Sequence, residues 1–103
     1  MSPQILARIE FYETSRGGRG TPLIGPWYGP LLELVGDPIY HECRVLLDGV
    51  GPVSPGQTVV APITLWRPDL VISKLCIGET FFLTEGKRRI ARGELVEILQ
   101  NAG

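Results

Sequence analysis

Lys87, Arg88, Arg89 and Arg92 place four cations within six positions. Exposed guanidinium and ammonium groups at that density can neutralise phosphates, and each contact made releases counterions. Arg16 and Arg19, in an early glycine-rich stretch, extend the patch if their loop lies beside the late one. The bland reading of the same run is a solvated turn whose arginines pair with Glu85, Glu79 or Glu94. Formal net charge over the 103 residues is −1. A nucleic-acid surface on this chain therefore has to be local, because no global field draws a polyanion in.

Other reactive side chains offer less. His41 and Cys43 share a strand face, and Cys76 lies elsewhere. A zinc site takes roughly four Cys, His or carboxylate ligands, and this trio falls short. Positions i and i+2 on a strand stand about 7 Å apart, which is too far for a Cys–His nucleophilic pair. Both cysteines read as free thiols, with Cys43 as a small core hydrophobe. The glycine pairs Gly17-Gly18 and Gly49-x-Gly51 do not open a helix, so no phosphate cradle is expected from them. No acid–base pair or activated nucleophile stands out, and no enzyme, metal or cofactor is expected. Trp27, Tyr28 and Trp66 offer an aromatic surface for bases or a partner protein. Trp27 and Tyr28 are better placed to pack their own long loop. Trp66, opposite the apolar face of its strand, is the candidate for contact with a partner.

The elements that position these residues read as short strands. Ile5 to Tyr12 alternates, with Ile5, Ala7, Ile9 and Phe11 on the core face. Glu13 to Pro30 has no period and reads as a long loop. Leu31 to Val35 is a short strand. Ile39 to Leu47 alternates again, with Ile39, His41, Cys43, Val45 and Leu47 together. Thr58 to Trp66 turns Val59, Ala61, Ile63 and Leu65 inward, and Pro62 marks an edge or a bulge. Leu70 to Ile77 reads as a short extended piece. Phe81-Phe82-Leu83 and Ile90 to Leu99 flank the corner Glu85-Gly86-Lys87-Arg88-Arg89, which is a hairpin pattern. Asn101-Ala102-Gly103 reads as a frayed tail. Gly or Pro interrupts every stretch that could hold a helical period. One all-β domain follows, spanning 1–103 with its core in about 5–99, as a small barrel or sandwich. No run approaches the roughly 18 apolar residues of a membrane helix, and no signal-peptide pattern opens the chain. The expectation is a cytoplasmic protein with no membrane contact.

An ordered set of blocks carries a resemblance. It runs Gly17-Gly18-Arg19-x-Thr21-Pro22, Tyr28-x-Pro30, Pro55-Gly56-x-x-Val59, Leu65-x-x-Pro68 and Phe82-x-x-x-Glu85-Gly86-x-Arg88-x-Ile90-x-x-Gly93. In order and spacing it resembles the third, C-terminal domain of elongation factor Tu, over about Ile5 to Leu99. The resemblance implies a six-stranded antiparallel β-barrel without catalysis. It also implies contact with the T-stem of aminoacyl-tRNA, partly through the hairpin turn that holds Glu85 and Gly86. Three positions depart from the family: Gly20 replaces its histidine, Gly29 its arginine, and the turn gains Lys87 and Arg89. No GxxxxGK[ST] loop occurs in the chain, so no nucleotide is expected and the barrel is read as standing without a GTPase part.

Two functions follow as expectations. The first is binding of structured RNA such as tRNA through Arg16, Arg19, Glu85, Gly86, Lys87, Arg88, Arg89 and Arg92. The alternative is docking of a translation-related protein on the Trp66 side.

Overall fold

A computed structural model describes residues 3–99. The expected frayed tail, Asn101-Ala102-Gly103, lies outside the described residues. The strands are β1 (Ile5–Phe11), β2 (Trp27–Tyr28), β3 (Leu31–Leu34), β4 (Tyr40–Leu46), β5 (Thr58–Leu65), β6 (Thr80–Glu85) and β7 (Arg88–Ile98). One short helix, α1 (Pro68–Ile72), joins β5 to β6. The sheet runs β2-β4-β3-β6-β7-β1-β5, all neighbours are antiparallel, and β4 pairs back onto β5. That last pairing, Cys43 with Leu65 through Val45 with Ile63, closes six strands into a barrel and leaves β2 as an added strand. Closure removes the free sheet edges that a six-stranded sheet would otherwise present.

Alternation explains most of the core. Ile5, Ala7, Ile9 and Phe11 of β1 are buried, as are His41, Cys43 and Val45 of β4 and Val59, Ala61, Ile63 and Leu65 of β5. Burial pushes the Cys43 thiol up to about 12. It stays neutral and packs as a hydrophobe, 3.5 Å from the carbonyl oxygen of Pro30. Ile39 departs from the expected face: it is exposed and precedes β4. Pro62 sits opposite Leu6 of β1, just outside the three residues of β5 that pair with β4. At Pro62 the strand has a locally open side, which suits a residue with no N–H to donate.

The extended piece expected over Leu70 to Ile77 is instead α1 and a following turn. Pro68 occupies the first turn, where its fixed φ and missing N–H cost nothing. Asp69 follows it with the favourable sign for a helix start. The β-branched Val71 and Ile72 favour a strand locally. The helical turn buries Val71, and Leu75, three residues past the end of α1, is buried as well.

The long loop is also more ordered than its sequence suggests. Thr14–Arg16 forms one 3-10 turn. Leu23 bridges to Val53, and Trp27-Tyr28 adds to β4 opposite Leu46 and Val45. Leu23 is buried and Tyr28 packs against the core, so the loop does supply packing of its own. Trp27 corrects the expectation of packing. It is 47% exposed, because its neighbour Tyr28 takes the inner side.

Candidate nucleic-acid interface

The closing hairpin is tighter than the five-residue corner read from the sequence. Glu85 pairs with Arg88, leaving Gly86-Lys87 as a two-residue loop. Gly86 has φ 64° and no non-glycine residue among those described has positive φ. That is the pattern of a type II′ turn, which takes Gly at its first central position and matches the twist of the strands. Arg88 and Arg89 therefore belong to β7 and not to the turn. Past them, Leu83 pairs with Ala91 and Thr84 with Arg89, so Ile90 is an extra, bulged residue. The bulge lets Ile90 and Ala91 both face the core and turns Arg89 and Arg92 outward. Gly93 follows because the ring of Phe81 lies over it: a Cβ there would come within 2.4 Å of that ring.

Glu85 collects the loop and the hairpin. Its carboxylate accepts a hydrogen bond from the Tyr28 hydroxyl and an ion pair from Arg19, and Arg88 stands 3.6 Å away. Arg19 also lies over the Tyr28 ring, 5.2 Å from its centroid. Burial raises the Glu85 carboxyl, but Tyr28, Arg19 and Arg88 together hold it below the usual carboxylate range. Burial and the bond to Glu85 push the Tyr28 hydroxyl well up, so it stays a donor. Arg19 gets there through a tight fold of its loop. Gly18 donates to the carbonyl of Glu13, and a Cβ on Gly18 would lie 2.0 Å from the carbonyl oxygen of Tyr12.

Arg89 reaches from β7 across β6 to β3. Its guanidinium makes two bonds to Glu33, 3.1 and 3.0 Å, and lies 3.9 Å from the centre of the Phe82 ring. The bond from Arg89 holds the Glu33 carboxyl below its usual range. Arg92 bonds Thr80 at 3.2 Å, further along β7. Lys87 sits exposed at the tip and makes no ion pair among the described residues. Arg16 ends the exposed 3-10 turn, and its side chain makes no hydrogen bond or ion pair among the described residues.

The structure thus brings Arg19 and Arg88 together around Glu85, keeps Lys87 at the tip of the same turn, and turns Arg89 and Arg92 outward on β7. The arginine partners differ in part from those expected: Glu85 serves as read, Glu33 takes Arg89, Glu94 pairs with Arg8 at 2.6 Å, and Glu79 caps the Cys76 N–H. Glu85 and Glu33 offset two of the five charges on Arg19, Lys87, Arg88, Arg89 and Arg92, and Glu10 stands opposite Arg92 in the strand register, so the cationic excess lies at the hairpin end. The roles of Tyr28 and Glu33 were missed by sequence reading. Both sit in other strands, and only their residue types hinted at a polar partner.

Trp66 directly follows β5 and is 70% exposed. It borders a groove of about 380 Å³ that Trp27 also lines. Arg44 stacks on Trp27, 4.3 Å from the ring centre. No helix among the described residues is long and apolar enough to cross a membrane. No group of three His, Cys, Asp or Glu side chains among them gathers as metal ligands do. No protein-family model matches the chain, and a search of curated proteins finds no similar sequence.

Proposed function

We propose that this chain is a non-catalytic module that binds structured RNA, such as the stem of a tRNA, on the edge formed by its closing hairpin and early loop. One observation carries the reading: Arg19 of the loop is tied to Glu85 of the hairpin, so two cationic segments 66 positions apart present one surface. Carboxylates and aromatic rings hold Arg19 and Arg89 in fixed orientations, and a guanidinium bonded to one carboxylate keeps further N–H groups for phosphate. Such an edge reads backbone and shape, which is how helical RNA is bound. The closed six-stranded barrel is compatible with the resemblance to the third domain of elongation factor Tu, and a cytoplasmic setting belongs to the same reading.

The test is a titration of tRNA at several salt concentrations. With three to four phosphates neutralised, the slope of log affinity against log salt should be roughly −3, and each cation removed should lessen it by about 1. Lys87→Ala is the cleanest variant, because Lys87 makes no side-chain hydrogen bond or ion pair among the described residues. A salt-independent signal, or no retention of tRNA, refutes the proposal. A second reading, docking of a translation-related protein, draws on the exposure of Trp66. Loss of a captured protein on Trp66→Ala but not on Lys87→Ala would favour it.

A further inference from the structure

The groove between Trp27 and Trp66 is left unexplained by a backbone-reading edge. We propose that it holds one unpaired base of the RNA bound on the cationic edge. The inference rests on the RNA reading above and names the kind of RNA: a stem interrupted by a bulge or flanked by a single strand.

Four observations point there. The first is size: about 380 Å³ lies within the range of small-ligand pockets, with room for a single nucleoside. The second is the walls. Trp66 is exposed, and Trp27 is held by Arg44 on one side. Gly29 also lies against the Trp27 ring, where a Cβ would stand 3.0 Å from it. Fixed aromatic and guanidinium planes are the surfaces on which unstacked bases lie. The third is the polar lining. Glu42 is exposed on the rim and Thr64 lies on the floor opposite Arg44 in the strand register. Thr64 is only 6% exposed, and its Oγ1 has no hydrogen-bond partner. That oxygen is enclosed, so Thr64 shapes the floor, and the polar groups that a base edge can meet are those of Glu42 and Arg44. A carboxylate repels phosphate but accepts from amino groups, as Glu does from cytosine N4. The base therefore enters and the backbone stays outside. The fourth is continuity. Tyr28 bonds Glu85 of the cationic edge while its neighbour Trp27 lines the groove, and Leu31 of the groove pairs with Thr84, next to Glu85.

The experiment compares, by anisotropy on the full chain, a short fully paired RNA duplex with the same duplex carrying one bulged cytosine or one bulged uracil. The bulged cytosine should bind roughly 10-fold tighter than the paired duplex, in keeping with the strength of one base–aromatic stack. Trp66→Ala and Trp27→Ala should abolish that gain and leave duplex affinity in place. Glu42→Ala should erase the preference for cytosine over uracil. All three side chains are exposed, so the variants are expected to fold, which a thermal melt checks. Equal binding of bulged and paired duplexes overturns the inference while the RNA reading stands. A gain that survives Trp66→Ala also overturns it. Failure of every RNA to bind overturns the RNA reading itself. Capture of a protein through Trp66 in that case reassigns the groove to docking.

Discussion

Glu85 is the residue through which the hairpin acquires its neighbours. It accepts from Tyr28 and Arg19 and stands near Arg88, so one partly buried carboxylate orders a loop, an added strand and a turn. A hydrogen bond to a charged group contributes more than a neutral one, but Arg19 still neutralises Glu85 when Tyr28 is altered. Tyr28→Phe should therefore cost about 1 to 2 kcal/mol, read from urea denaturation at neutral pH. An unchanged midpoint would mean that the hydroxyl adds nothing beyond the ring. The sequence marked Glu85 as part of a turn and Tyr28 as part of a loop. Nothing in either residue type announces a partner 57 positions away.

The hairpin was legible as an element, and its detail was not. Apolar runs around Glu-Gly-Lys predict two strands, and β6 and β7 are there. The bulge at Ile90 has no signature in a single strand, because it exists only as a mismatch between two strands. Yet it sends Arg89 and Arg92 outward; unbroken alternation would put Arg92 on the same face as Ile90. Gly93, three residues on, exists to admit the Phe81 ring. Gly93→Ala should overpack this seam and cost about 1–3 kcal/mol. For a domain of this size each kcal/mol corresponds to a fall of roughly 4–8 °C in Tm. A calorimetric melt that matches the parent would show that Phe81 can yield. The helix α1 makes the same point from the other side. Leu70-Val71-Ile72 prefers a strand, and the tertiary burial of Val71 in α1 and of Leu75 after it overrides that preference.

Across the molecule, carboxylates held by cations should govern stability toward acid. Hydrogen bonding by Arg89 lowers Glu33, by Lys74 lowers Asp37 and by Arg67 lowers Asp69, while Glu85 ends below its usual range despite burial. In each case the folded pKa is depressed. The unfolded chain then binds more protons, and the stabilisation is full above the unfolded values near 4 and lost as pH falls through the folded ones. The urea midpoint should hold steady from neutral pH to about 5 and drop below about 4, with a shallower drop in Glu85→Gln. A midpoint that rises in acid would contradict these pairings. Local chemistry was enough for the strands, since alternation along Ile5 to Phe11 or Thr58 to Leu65 needs only the two faces of a pleated chain. It was also enough for the turn, since Gly86 alone takes the backbone angle there. Closure of β4 on β5, addition of β2, the bulge and the meeting of Arg19 with Glu85 depend on contacts between distant segments. The Trp27–Trp66 groove does too. Such contacts form only when the whole barrel buries its core at once, and for that reason the sequence shows which residues are cationic or aromatic, while the tertiary structure determines which of them share a surface.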